Sequence, residues 1–155
     1  MRKKYIMQGL LFCAIALAPL HAATVSFLVI EVGVPSEAPA SQQSVMWENG
    51  LMDVFFEAGH IVSNSPIMRL ARRPGAGFPR EARPDLEFAR EGMMQFFVIA
   101  VVNHPAPYNV SLRLFRTDTQ EMLFEHQYTD TTYRTRREEY DAIKQEIQVL
   151  VGRIR

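Results

Sequence analysis

Three side chains with metal-binding or acid/base chemistry recur at helical spacing in the first half of the chain. Asp53, Glu57 and His60 are separated by four and three positions, so a helix would place them on one face. Carboxylates and an imidazole on one face can ligate a divalent cation or exchange protons. No H-E-x-x-H motif or second histidine-rich segment completes such a set. Two interpretations remain, a metal-dependent hydrolase site and a solvated helix face, and the apolar stripe opposite favours the second.

A second group of residues suited to recognition is a cluster of arginines in an irregular segment rich in Pro and Gly. The segment spans residues 66–83, and its arginines are Arg69, Arg72, Arg73, Arg80 and Arg83. Guanidinium groups bind carboxylate or phosphate groups through paired hydrogen bonds. The segment is interpreted as a docking surface for an acidic protein, an anionic glycan or a lipid head group. The alternatives are a solvated loop that keeps the chain soluble and a small-ligand pocket beneath the loop.

Two apolar side chains near the acidic residues suggest another contact surface. Met52 and Phe56 lie one helical turn apart, on the flank between the apolar stripe of their helix and its charged face. Apolar side chains in this position are either covered by a neighbouring loop or exposed as a contact patch. We therefore include both residues among the candidate partner-binding positions.

The sequence contains no familiar catalytic or cofactor motif. It lacks the G-x-S-x-G nucleophile elbow, the phosphate-binding loop and the dinucleotide fingerprint. His104 falls in a Pro-rich turn, and His126 is expected to point into the core beside Phe124 and Tyr128. The chain is therefore predicted to be non-enzymatic and to use no cofactor.

The N-terminal residues have the three-part pattern of a secretory signal peptide. A basic stretch over residues 2–4 precedes a mostly apolar run over residues 6–20, and Ala22 supplies the small residue before a cleavage site. The run is shorter than the roughly 20 residues of a transmembrane helix, so a cleaved signal over residues 1–22 is favoured over a retained anchor. Cys13 lies inside the run, so we do not expect a lipid anchor at this cysteine.

The composition of the rest of the chain restricts its partners and its compartment. The sequence has 17 basic and 17 acidic residues, and the predicted signal removes only basic ones. Residues 23–155 therefore carry a small negative charge, which gives no electrostatic reason to expect nucleic acid. The single cysteine leaves with the signal, so an apolar core must stabilise the domain without disulfides. We expect an exported, periplasmic domain with no transmembrane segment after cleavage.

The hydrophobic pattern of residues 23–155 predicts one α/β (α+β) domain. Two nearly continuous apolar runs, at residues 23–34 and 96–102, indicate strands buried on both faces. The other predicted elements are a helix over about 44–58, a short strand over 60–64, one helical turn over 67–71, a helix over about 84–92, two strands joined by a loop at 117–120, and a helix over about 136–154 with capping-box spacing at Thr135 and Glu138. The predicted order is β-α-β-α-β-β-β-α, with the helices packed on a mixed sheet of four to five strands.

Three stretches carry a likeness to a known group of proteins. Residues 51–62 run from a helix through a Gly into a strand, residues 89–102 do the same, and residues 110–123 form a hairpin. These patterns resemble the small periplasmic α/β domain shared by the N-terminal part of TolB, the penicillin-binding-protein activator LpoB and the curli secretion protein CsgG. Gln120 replaces the turn glycine common in that group. The resemblance implies a non-enzymatic module of the bacterial cell envelope that docks onto envelope proteins or assembles with copies of itself, and it implies no site residues.

Overall fold

The computed structural model describes residues 22–35, 37–129, 133 and 135–154. Apart from Ala22, the predicted signal peptide over residues 1–22 lies outside the described residues. The elements are β1 (Thr24–Val32), α1 (Gln42–Glu57), β2 (Ile61–Asn64), β3 (Met68–Leu70), a 3₁₀ helix (Arg80–Ala82), α2 (Arg83–Glu91), β4 (Phe96–Asn103), β5 (Asn109–Arg116), β6 (Met122–Thr129) and α3 (Arg136–Val151). None of the helices in this described part of the chain is long and apolar enough to cross a membrane.

The strands form one mixed six-stranded sheet, in the order β2-β1-β4-β5-β6. β1 pairs in parallel with β4 on one side, and on the other side with β2 along its first half and β3 along its second half. β4, β5 and β6 pair antiparallel. β1 and β4 are apolar along almost their whole length because helices or loops cover both faces of the sheet.

The helices cover the two faces of the sheet unequally. α1 and α3 pack together on one face, where Trp47, Leu51 and Ile147 are among the buried residues. α2 covers the other face with Leu86 and Ala89. Each long helix begins at a side-chain cap, which for α3 is the predicted capping box. The predicted single α/β domain with helices packed on a mixed sheet is confirmed.

One predicted local element is wrong. The helical turn expected over residues 67–71 is instead β3, whose Met68–Leu70 pair with Ile30–Val32 of β1. Pairing with a buried strand outweighs the weak local preference of such a short segment. The sheet therefore has six strands, where four to five were expected. α3 also ends at Val151, before the expected Ile154.

Two non-glycine residues in the described ranges have a left-handed backbone. Met93 follows the C-terminus of α2 with φ 54°, and Gln120 closes the β5–β6 turn with φ 58°. Glycine adopts this conformation without steric cost, whereas a residue with a Cβ does not. Gln120 is therefore strained at the position where the resembling group commonly has glycine.

Candidate functional site

The loop between β3 and the 3₁₀ helix, residues 71–79, is packed onto the sheet. We call it the arginine loop. The ring of Phe78 lies 5.6 Å from that of Phe97 and 5.0 Å from that of Phe115, measured between centroids. Pro79, the next residue, is buried. The loop therefore has an apolar anchor at its C-terminal end.

A buried arginine beneath the loop supplies a polar anchor. Arg113 of β5 has only 4% of its side chain exposed. Its Nη1 donates to the backbone carbonyl oxygens of Gly75, at 2.8 Å, and Gly77, at 3.2 Å. Its Nε donates to Glu125 Oε1 at 3.0 Å and to Ser111 Oγ at 3.2 Å. One guanidinium group thus joins the middle of the arginine loop to two adjacent strands.

The carboxylate of Glu125 is held in its charged form by these neighbours. A hydrogen bond from Ser111 lowers the pKa of Glu125, and the hydrogen bond and charge of Arg113 add to the effect, although burial acts the other way. Gln127 donates to Glu125 Oε1 at 2.9 Å and accepts from Arg73 Nη2 at 3.1 Å. Arg73, a predicted docking residue, is therefore bound to a neutral amide on the sheet.

Arg69 differs from the other arginines of the predicted segment, because it contacts an internal acid. Its Nε lies 3.0 Å from Oε2 of Glu31, whose side chain is 0% exposed. Glu31 also accepts the backbone N–H of Ser41, at 2.6 Å. The guanidinium group of Arg69 is thus part of a buried charge pair.

Arg72, Arg80 and Arg83 are exposed to solvent. Within the described ranges, no carboxylate forms an ion pair with any of them. Arg72, Arg73 and Arg80 line a groove of about 520 Å³ beside the loop. The structure therefore brings together three of the five predicted arginines, and places Arg69 and Arg83 outside the groove.

The structure does not gather Asp53, Glu57 and His60 into one site. Asp53 accepts a hydrogen bond from the Tyr140 hydroxyl at 2.7 Å, and Glu57 lies 2.7 Å from Lys144 Nζ. Both carboxylates are exposed, as the interpretation of a solvated helix face implies, and both also contact α3. Among the described residues, no group of three or more His, Cys, Asp or Glu side chains is placed to hold a metal ion.

His60 has a partner in the residue that precedes β1. Its Nδ1 accepts the backbone N–H of Ala23 at 3.2 Å. Burial lowers the pKa of His60, because the charged imidazolium loses hydration. The neutral ring is the form that can accept this hydrogen bond.

Of the two predicted apolar contact residues, only one is clearly exposed. Phe56 is 72% exposed, whereas Met52 is half-buried and packs against the core under α1. Ile61, the first residue of the edge strand β2, is 59% exposed. The sequence interpretation missed Ile61 because exposure at a sheet edge leaves no periodic signal.

His104 and His126 make contacts that the sequence did not indicate. His126 does not point into the core. Its Nε2 lies 2.6 Å from Glu146 of α3, and its side chain is partly exposed. His104 Nε2 lies 3.3 Å from Ser41 Oγ, and its ring packs edge-on against Tyr108.

Arg113 is the important residue that sequence reasoning missed. In the alternating pattern of β5 it occupies a position that reads as solvent-facing. A regular hairpin around the predicted loop at 117–120 places Arg113 opposite Phe124. In the structure a β-bulge between Leu114 and Phe115 shifts the register by one residue and brings Arg113 opposite Glu125. Opposite charges at paired positions stabilise neighbouring strands, but this pair forms only because of the bulge, which the sequence pattern did not predict.

No family model and no curated protein matches this sequence. Among solved structures, the PelC dodecamer from Paraburkholderia phytofirmans matches with a TM-score of 0.51 and 13% identity, over 85% of this chain and 86% of that one. The LpoB C-terminal domain from Salmonella enterica matches with a TM-score of 0.41 and 12% identity, over 72% and 84% of the two chains. TolB from Acinetobacter baumannii matches with a TM-score of 0.44 and 11% identity, over 85% of this chain and 30% of that one.

Two proteins named from the sequence resemblance, LpoB and TolB, are thus among the structures to which this chain is similar, at low sequence identity. The PelC match shows a shared fold. At this identity a shared fold does not establish a shared activity.

Proposed function

We propose that this chain is an exported, non-enzymatic module of the bacterial cell envelope that docks onto a protein partner through the arginine loop. The signal-like N-terminus supports export, and the absence of familiar catalytic motifs from the sequence supports a binding role. The exposed guanidinium groups of Arg72 in the loop and of Arg80, the first residue of the 3₁₀ helix that follows it, supply the recognition chemistry.

The anchoring of the arginine loop carries this proposal. A loop that only kept the chain soluble would not require a buried guanidinium on its carbonyl oxygens or an aromatic ring packed into the core. Arg113 and Phe78 supply both. A loop already ordered before binding loses less conformational entropy when a partner binds.

Crosslinking in cells, followed by capture of the tagged protein and mass spectrometry, tests the docking surface. The test variant is Arg72→Ser/Arg73→Ser/Arg80→Ser. The matched control, Arg116→Ser/Arg136→Ser/Arg137→Ser, removes the same charge from exposed positions elsewhere. We expect the test variant to lose a reproducible envelope partner and the control to keep it. An unchanged set of partners with the test variant would show that docking does not use this loop.

A second candidate function is self-assembly, supported by the fold match. The matched PelC structure is a dodecamer. In this chain Phe56 of α1 and Ile61 of the edge strand β2 are exposed. Within the described residues, no strand pairs with the outer edge of β6 or with that of β2 and β3. Edges of this kind can accept a strand from another copy.

Native mass spectrometry of the purified protein from residue 23 onward tests self-assembly. A single oligomeric mass that Phe56→Ser/Ile61→Ser converts to monomer would support it. A monomer at all concentrations would contradict it. Docking through the arginine loop does not depend on this result.

A further inference from the structure

We propose that the groove beside the arginine loop binds an acidic peptide segment in extended conformation, laid along the outer edge of β3. This inference rests on the docking function proposed above and specifies the chemistry of the partner. Three properties of the groove support it: its charge, its mixed lining and the free strand edge at its border.

The positively charged arginines of the groove favour a ligand that carries carboxylates. Arg72 and Arg80 form no ion pair with an acid of the described residues, and Arg73 is held by the neutral amide of Gln127. Guanidinium groups bind carboxylates through two parallel hydrogen bonds. Acidic side chains of a partner would therefore give Arg72 and Arg80 carboxylates with which to pair.

The lining of the groove favours a peptide over a membrane surface or a polyanionic chain. Apolar Leu70, Pro74 and Phe78 line it together with the arginines, and Glu81 places a negative charge in its wall. A densely charged polymer or the head groups of an anionic bilayer would leave this apolar lining unused. A peptide that alternates acidic and apolar side chains fits both kinds of lining.

The border of the groove adjoins a strand edge. Leu70 is the last residue of β3 and also lines the groove, and its own carbonyl oxygen is turned inward, where it accepts the N–H of Gly33. β3 pairs with β1 on its inner side, and no strand of the described residues pairs with its outer side. An extended peptide added there would bind through main-chain hydrogen bonds, and its alternate side chains would point to the same side.

Arg113 acts as a positioning residue for this site. It does not line the groove, but its Nη1 holds the carbonyl oxygens of Gly75 and Gly77 in the groove wall. Lysine at this position keeps the charge but loses the planar fork that reaches several acceptors at once. Arg113→Lys is therefore expected to weaken peptide binding although every arginine of the groove is retained.

Fluorescence anisotropy with a fluorescein-labelled peptide, Glu-Val-Glu-Val-Glu-Val, tests the proposal on the purified protein. We expect saturable binding, and Arg72→Gln/Arg80→Gln should weaken it by at least tenfold, since each lost charged contact is worth roughly tenfold. Arg136→Gln/Arg137→Gln, which removes the same charge from α3, should bind like the unmodified protein. Equal weakening by both variants, or equal binding of a Lys-Val-Lys-Val-Lys-Val peptide, would overturn the proposal.

Two further measurements separate this inference from the docking function. No saturable peptide binding, with Arg72-dependent binding to phosphatidylglycerol vesicles or to alginate instead, would overturn the acidic-peptide partner. Loss of the captured partner in the crosslinking experiment would then still support docking through the loop, whereas an unchanged partner set would contradict both proposals.

The positioning role of Arg113 has its own test. If Arg113 served only the stability of the fold, Arg113→Lys would lower the free energy of unfolding and leave the peptide affinity of the folded protein unchanged.

Discussion

Glu31 shows how a buried carboxylate determines the role of an arginine near the surface. Burial alone raises the pKa of Glu31, but hydrogen bonds from Ser41, Ser44 and Arg69 together bring it below its usual value. The carboxylate is therefore charged at neutral pH while fully enclosed. Its stability contribution is present above the pKa of the unfolded chain and is lost as the pH falls through the lower pKa of the folded state.

Removing Arg69 should destabilise the fold, whereas removing Arg72 should not. We expect Arg69→Met to lower the free energy of unfolding by about 3–5 kcal/mol, because Glu31 is left as a buried charge without its cation. Arg72→Met should change it by less than about 0.5 kcal/mol, as is usual for an exposed side chain. Urea unfolding followed by circular dichroism measures both. Equal effects of the two substitutions would contradict this division of roles.

His60 should make stability depend on pH in the mildly acidic range. Its pKa is lower in the folded protein than in the unfolded chain, because burial disfavours the charged ring. As the pH falls below the unfolded value of about 6.5, the unfolded chain binds protons first, so the free energy of unfolding decreases. Urea unfolding at several pH values between about 7.5 and 5.5 should show a smaller decrease for His60→Gln. The same pH dependence in both proteins would show that His60 does not cause it.

The contacts of individual side chains were harder to predict from the sequence than the helices and strands. Glu31 is the single charged residue of a mostly apolar strand, which indicated burial but not its partners. Arg69 lies in β3, a strand that no periodic pattern in the sequence predicts. The assignment of Arg69 to a docking surface remains a prediction, although its contact with Glu31 gives it a structural role.

At the scale of elements, the β5–β6 turn carries strain that one substitution should remove. Gln120 has φ 58°. We expect Gln120→Gly to raise the free energy of unfolding by about 0.5–1 kcal/mol, because glycine tolerates this conformation. Gln120→Ala keeps a Cβ and should bring no gain. Thermal and urea unfolding of the unmodified protein and of both variants measure these differences in stability. Stabilisation by alanine as well as by glycine would indicate a cause other than the left-handed backbone.

Long elements were predictable because their own residues specify them. α1 and α3 show apolar stripes at helical spacing, and Thr135 with Glu138 marks the start of α3. β3 was not predictable, since three residues show no period and form a strand only by pairing with β1.

The packing of α1 on α3 was not predictable either. At Gly50 the added Cβ of any other residue would lie 3.0 Å from Ile143 and Ile147, a constraint that appears only once the two helices are packed.

At the scale of the whole molecule, self-assembly predicts that stability depends on protein concentration. Association that stabilises the folded state raises the apparent midpoint of thermal unfolding as the concentration increases. We expect this rise between about 1 and 100 µM, and its absence in Phe56→Ser/Ile61→Ser. Val45→Ser/Val149→Ser, which also replaces exposed apolar residues, serves as the control. A midpoint independent of concentration in the unmodified protein would argue against assembly.

The fold class was predictable from the sequence, and the arrangement of the arginine loop was not. Buried strands and amphipathic helices follow from the order of apolar residues along the chain. The anchors of the loop come from distant positions, since Arg113 and Gly75 are 38 residues apart. A Pro- and Gly-rich segment with many cations reads as a solvated loop until the residues beneath it are known.

The contrast between anchored and exposed arginines has a consequence for large-scale mutagenesis. In a library scored for cellular abundance, replacements of Arg69 and Arg113 should be depleted, because both side chains serve buried contacts. Replacements of Arg72 and Arg80 should pass that selection and be lost only when the same library is scored for an envelope phenotype. Two parallel screens would thus divide chemically identical side chains into scaffold and recognition surface before any partner is known.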